Sequence, residues 1–464
     1  MKLRFLLSVL LSVILSAAVA VGEEKRPRTL LISLDAVPFW VIADVTDPAL
    51  GDEALFQGFK GPVPVISTFP SSTSVAMVGF LRPLGLGKSP GYEAKFFDWE
   101  KLKVRGGGLF SYAKIEFPWR EFFDWGRRNP AGSAIEAVKP VKSGIKRLGN
   151  AIDEFVESEA EVFLIYIAAT DIAVHVVGPD SVKKLFVELD AMLEEARARY
   201  PDRPFETLIW SDHGVAGGEP LINVSKSTKK ALKAAGFRVK KKLKKPRTVV
   251  MTPFGLVSNF EAYTAEESIA EVARILAKVE GVDLCVFERG EDRWGVVGPK
   301  GEGLVQRRQS DSASAWHYEV EGEDPLGYVA VFEQLALAGS DRSGWIDDEE
   351  LFVATMQHRY PDALYRLADA FELVLNPGSA VCSTGVDHMY GAGTTAALAT
   401  LGKGKLRWTH GALNSAATLG FLMSDADHWQ APDAVRYDRA LLPFQQDLSR
   451  HANVSAPPAP GGTE

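Results

Sequence analysis

From Arg28 the chain reads Thr29-Leu30-Leu31-Ile32-Ser33-Leu34-Asp35, a nearly continuous apolar run closed by an acid. Apolarity over so few residues marks a strand covered on both faces, as in a parallel sheet. The same grammar returns in Val162-Phe163-Leu164-Ile165-Tyr166-Ile167, which leads to Asp171, and in Thr207-Leu208-Ile209-Trp210-Ser211, which leads to Asp212-His213. Between these runs, 145–156 and 181–197 place apolar residues at helical spacing. Strand and helix therefore alternate, which predicts an α/β domain with a mostly parallel central sheet. Ligands of such sheets gather beyond the carboxyl ends of the strands. All three runs put their polar residues there.

After Pro246 the segments shorten. The stretches 282–288, 293–297 and 317–321 are separated by Gly- and charge-rich turns and predict a smaller inserted α+β unit. Helical spacing returns past Gly339, and Phe371-Glu372-Leu373-Val374-Leu375 reads as one more core strand before a Gly-rich loop over 378–393. The expected division is a signal peptide at 1–20, a first core part at 21–245, the insert at 246–335, a second core part at 336–430 and a C-terminal extension at 431–464. The Pro- and Ala-rich end of that extension, from Ala452, is expected to be disordered.

Composition narrows the class. Of 464 residues 46% are hydrophobic and 24% charged, as in an ordinary folded protein, and the net charge of −8 gives no broad attraction for nucleic acid or anionic membranes. The basic run Lys240-Lys241-Lys242, Lys244, Lys245 and Arg247 reads as a solvated edge. Lys2 and Arg4 precede an apolar stretch over 5–21 that contains Ala18-Val19-Ala20, the pattern of a secretory signal peptide, with an uncleaved anchor as the alternative. The expected location is periplasmic or extracellular. An oxidising compartment permits one disulfide between the two cysteines, Cys285 and Cys382, or leaves two buried thiols. No dinucleotide fingerprint or P-loop occurs, so no nucleotide cofactor is expected.

Asp35, Asp171, His175, Asp212, His213 and His410 are oxygen and nitrogen donors that suit zinc well, and manganese or iron less well. A helical turn after Asp171 puts His175 on the same face four positions on. In Ser211-Asp212-His213-Gly214 a strand end followed by glycine lets two adjacent ligands turn toward one pocket. Singly, such an Asp is an ordinary turn residue and such a His an ordinary core residue. Their recurrence at strand ends favours metal. Ser67-Thr68-Phe69-Pro70-Ser71-Ser72-Thr73-Ser74 precedes a short helix around 75–79, so one of its hydroxyls lies at a helix N-terminus, where an anion is favoured and a metal can make it nucleophilic.

These segments resemble the alkaline phosphatase superfamily, particularly its nucleotide pyrophosphatase/phosphodiesterase-like branch, from Leu30 to about Asp425. Pro70-Ser71-Ser72-Thr73 looks like that branch's Pro-x-x-Thr nucleophile motif and singles out Thr73. Tyr166 through Asp171 to His175-Val176-Val177-Gly178-Pro179, Ser211-Asp212-His213-Gly214 and Thr409-His410-Gly411 resemble its ligand segments. The resemblance implies a three-layer sandwich and two divalent metal ions, zinc by preference. One would be held by Asp171, His175 and His410, the other by Asp35, Thr73, Asp212 and His213. It further implies a small phosphoric ester as substrate and a phosphothreonine intermediate on Thr73.

Ser74-Val75-Ala76 stands where many diesterases have Pro-Asn-His, so an Asn that steadies a phosphate oxygen is missing there. Monoester, diester and phosphonate therefore all stay open, with Lys95 and Lys114 as substitute cations that read first as surface lysines. His388 is the rival to His410, and His317, His358, His428 and His451 read as structural or exposed. A non-catalytic metal-binding relative is the alternative function. A sulfatase is disfavoured, because no C/S-x-P-x-R motif lies near residue 73.

Overall fold

The computed structural model describes residues 26–106, 117–126, 139–243, 245–252, 256–310, 313–338, 344–391 and 406–451. The expected signal peptide, Lys114, Lys244 and the tail from 452 lie outside them. Among the described residues no helix is long and apolar enough to cross a membrane.

The apolar runs form the strands they predict: Arg28–Leu34, Val162–Ile167 and Phe205–Trp210. Arg28–Leu34 lies between the other two, parallel to both. The six-stranded sheet is completed by Leu419–Ser424, Lys60–Ile66 and Val435–Arg436, and three of its five pairings are parallel. The alternation of side chains explains why it needs cover on both sides. Leu30, Ile32 and Leu34 enter a cluster with Leu148, Ile152 and Phe155 of helix Pro140–Glu157 and Leu185 and Leu189 of helix Lys183–Arg199. Leu31 enters the opposite cluster with Val75 and Met77 of helix Thr73–Leu81 and Leu364 and Leu367 of helix Ala363–Glu372. The result is a three-layer α/β sandwich, as expected.

A second, nine-stranded sheet takes strands from between residues 238 and 384, in the order 346–347, 314–322, 301–309, 293–297, 282–288, 380–384, 259–263, 248–252 and 238–240. Helix Ile269–Ala277 covers one face. From the other face Leu284, Val286 and Val381 join the same buried cluster as the helix Thr73–Leu81, so the two sheets share a core.

One expected strand, 371–375, does not form: Phe371 and Glu372 end a helix, and beyond it Val374 makes an isolated parallel bridge to Ser89. Ala363–Glu372 repeats Ala363, Leu364, Leu367, Ala368 and Phe371 at helical period, and the buried face runs along it. The four apolar residues of 371–375 straddle the helix end and mimic a strand only when read without the preceding turns. The expected loop over 378–393 also contains strands, Ala380–Thr384 and His388–Gly391.

Cys285 and Cys382 face each other across antiparallel strands and form a disulfide, both fully buried. The bond spans a sequence separation of 97 and so restricts the unfolded chain strongly. Replacing Cys382 by Ala is expected to cost about 2–4 kcal/mol of unfolding free energy. Urea titration of both forms measures it; an unchanged midpoint would refute the effect.

Candidate metal centre

Parallel pairing brings the first candidate ligands together. Ser33 is in register with Trp210, so Asp35 and Asp212 leave adjacent strands side by side. Ala36, at φ 60°, turns the chain back, and its N–H donates to Asp212 Oδ1 at 3.1 Å while the Val37 N–H donates to Ser211 Oγ at 2.9 Å. His213 follows directly. Gly214 after it is required by close approach: a Cβ there would stand 2.6 Å from the Ala416 carbonyl oxygen and 2.7 Å from that of Leu419.

On the other flank, strand Val162–Ile167 runs into helix Ala169–Val176, which carries Asp171 and His175 on one face. His175 Nε2 lies 3.1 Å from Asp171 Oδ1. His410 comes from far along the chain. The short strand Trp408–Thr409 pairs with Ala216–Gly217, and this pairing delivers His410 Nε2 to 3.5 Å from Asp171 Oδ1. Gly411 takes φ 105°, and a Cβ on it would meet Asn259 Oδ1 at 2.2 Å, so only glycine fits after this histidine.

The six side chains fall into two groups, Asp171-His175-His410 and Asp35-Asp212-His213, and within each group the ligand-type atoms all lie within 4.8 Å of one another. The groups touch: the His213 and His410 rings stack with centroids 4.2 Å apart. All three imidazoles are oriented alike. Nδ1 of His175, His213 and His410 hydrogen-bonds the carbonyl oxygens of Trp408 (2.9 Å), Gly214 (3.1 Å) and Ser71 (3.1 Å), leaving Nε2 toward the carboxylates. Backbone carbonyls that hold the far ring nitrogen in this way fix the tautomer a metal-ligating histidine needs. Asp171 Oδ1 and Asp212 Oδ2 are buried yet accept no hydrogen bond, although imidazole nitrogens lie 3.1 and 3.4 Å away. These lone pairs converge on a point without bonding one another. The donor set fits divalent cations of the zinc type.

Electrostatics agrees with that fit. Burial, reinforced by the charge of Asp35, pushes the Asp212 carboxyl well above the usual carboxylate range. Burial also holds His213 well below the ordinary imidazole value, with the neighbouring His410 adding to it, so its Nε2 keeps a free lone pair. Asp171 is held well below the usual range, because the His175 and His410 imidazoles outweigh its burial.

Thr73 opens helix Thr73–Leu81 next to the second group. Its hydroxyl donates to Asp35 Oδ1 at 3.0 Å and stands 3.4 Å from His213 Nε2. In the hydroxyl run Ser67, Thr68, Ser71, Ser72 and Ser74 are all buried, whereas Thr73 is partly exposed. Ser71 Oγ is engaged with the Ala412 carbonyl and Ser72 Oγ with that of Tyr92. Only Thr73 combines access with contact to the carboxylate group.

His388 lies outside both groups and packs on Gly281, where a Cβ would meet its ring at 2.1 Å. His451 pairs with Asp124 at 2.9 Å, and His317 lies against Trp345. His358 packs edge-on against Tyr328, and His428 lies near Glu206 and Asp447. Lys95 is half-buried on strand Lys95–Asp98. Two contributors were given no role by the sequence. The Tyr166 hydroxyl donates to Asp35 Oδ2. Ser258 donates to the His410 carbonyl through both its N–H and its Oγ, each at 2.7 Å. Tyr166 is the one polar ring in its apolar strand and opens the segment that leads to Asp171.

No family model and no curated protein matches the chain. Among solved structures it is similar to human ectonucleotide pyrophosphatase/phosphodiesterase 5, at 12% identity over 94% of this chain and 97% of that chain, with a TM-score of 0.47. The murine ectonucleotide pyrophosphatase/phosphodiesterase 5 matches at the same values. Phosphonoacetate hydrolase from Sinorhizobium meliloti 1021, in complex with phosphonoacetate, matches at 12% identity over 92% of this chain and 96% of that chain, with a TM-score of 0.42. Each is similar to this chain along nearly its whole length, with little sequence in common.

Proposed function

We propose that this protein is an exported metal-dependent hydrolase of small phosphoric esters, with Thr73 as nucleophile and a phosphothreonine intermediate. The observation that carries the reading is the convergence, around one accessible hydroxyl, of two adjoining carboxylate–imidazole groups drawn from distant parts of the chain. In this reading Asp171, His175 and His410 hold one cation, and Asp35, Asp212, His213 and Thr73 hold the other. Bound divalent ions, zinc by the donor set, supply Lewis acidity and neutralise phosphate charge.

The remaining work falls to the chain. Asp35 orients the Thr73 hydroxyl, and the Tyr166 hydroxyl holds the other oxygen of Asp35. Thr73 is the first residue of a nine-residue helix, so a phosphoryl group joined to Oγ1 lies at the positive end of the helix dipole. Attack of Oγ1 on phosphorus releases the alcohol of the ester, and attack of water on the phosphothreonine releases phosphate or a phosphate monoester and restores Thr73.

The direct test is turnover of nitrophenyl phosphate, bis-nitrophenyl phosphate and a phosphonate by the zinc-loaded protein. Hydrolysis of at least one is expected. Two bound zinc ions with no turnover of any would make the protein a binding member of the fold. A ligand variant separates the histidines: His410→Ala should weaken one of the two zinc ions by about 10–100-fold or more. Zinc competition with a chelator reads this directly. The same loss from His388→Ala, with none from His410→Ala, would transfer the ligand role to His388.

A further inference from the structure

We infer that Arg366 is a positioning residue: its guanidinium ties the segment leading to Thr73 to the segment following His410, and so sets nucleophile and metal ligand relative to one another. The inference rests on the function proposed above.

Arg366 lies on helix Ala363–Glu372 and is 0% exposed. Nη1 donates to the carbonyls of Pro361 (3.0 Å) and Leu413 (2.9 Å). Nη2 donates to the Thr68 carbonyl (3.1 Å) and to Thr418 Oγ1 (2.7 Å). Thr68 precedes Thr73 in the hydroxyl run, and Leu413 closely follows His410. One rigid, planar cation therefore bonds the bases of both site-bearing segments. Their tips are bonded directly, through His410 Nδ1 to the Ser71 carbonyl and the Gly411 N–H to Ser71 Oγ. Two crosslinks at different heights fix the distance between the segments and also the angle.

None of the four acceptors is a carboxylate. Burial lowers the guanidinium to about 10, with Asp362 acting in the opposite direction, so it stays a cation at neutral pH in a costly place. Packing alone does not account for this, because an apolar side chain of similar volume fills a core as well or better. A guanidinium differs by presenting several donors in one fixed plane. That property matters where a shift of about 1 Å in a reacting group costs on the order of 100-fold in rate.

The test uses the zinc-loaded full chain with Arg366→Met and Arg366→Lys. Rate per folded molecule, with folded fraction read by circular dichroism, and the two zinc affinities are measured. For Arg366→Met a fall in kcat of about 100-fold is expected. One zinc ion should be weakened and the other unchanged, and Lys should recover part of both effects. A lower melting temperature with normal kcat per folded molecule and two normal zinc affinities would reduce Arg366 to a packing role and overturn the inference. Should Arg366→Met fail to fold, Thr418→Val, which removes one acceptor of Arg366 together with the hydroxyl's own donation to the Leu413 and Asn414 carbonyls, carries the test. A several-fold lower kcat then supports the inference, and a normal kcat overturns it. If the unmodified protein hydrolyses no ester, the proposed function fails, and the zinc affinities still decide: unequal weakening supports the positioning role, whereas equal or absent weakening ends it.

Discussion

Thr73→Ala is expected to bind two zinc ions per chain and to lose on the order of 10³-fold or more in kcat, since it removes the atom proposed to form the covalent intermediate. The site should survive the change. Asp35 keeps the hydrogen bond from Tyr166, His213 keeps its tie to the Gly214 carbonyl, and alanine is the best helix former at a helix position. Ser71→Ala and Ser72→Ala provide the contrast. Both hydroxyls are buried and donate to backbone carbonyls, and Ser71 Oγ also accepts from the Gly411 N–H. Their loss should lower stability, and for Ser71→Ala some rate through the looser tie, while the covalent step stays available. Phosphate-burst kinetics and zinc analysis on the three variants decide the matter. A Thr73→Ala protein that turns over at near-normal rate would remove threonine from the mechanism.

Stripping zinc with a chelator is expected to abolish turnover and also to lower the melting temperature by several degrees, with both restored on adding zinc. The stability effect has a specific origin. Asp35 and Asp212 are buried beside each other, and burial together with the charge of Asp35 disfavours ionisation of Asp212. A cation bound only by the folded state removes that repulsion and adds about 4 kcal/mol per site when free metal is a thousandfold above Kd. Calorimetry with and without chelator measures the shift. Equal melting temperatures, together with unchanged turnover, would show that these side chains hold no metal.

The chain's local patterns determined much of this protein without any tertiary information. The strands Arg28–Leu34, Val162–Ile167 and Phe205–Trp210 follow from runs of apolar residues, because a strand buried on both faces needs no alternation. Asp171 and His175 were legible as a pair because one helical turn alone sets their spacing. The same short-range reading failed at 371–375, where the apolar cluster straddles the end of a helix whose period shows only over the preceding turns.

Tertiary structure decided the rest. The register of Val282–Glu288 against Ala380–Thr384, and not the cysteine count, sets Cys285 opposite Cys382. Pairing of Trp408–Thr409 with Ala216–Gly217 carries His410 to the site and leaves His388 outside it. Access and the contact to Asp35 separate Thr73 in space from the serines beside it, and the tie from Arg366 to Thr68 and Leu413 has no local trace. Local propensity acts over a few residues, whereas a donor atom's place in a site depends on which distant segments pack around it.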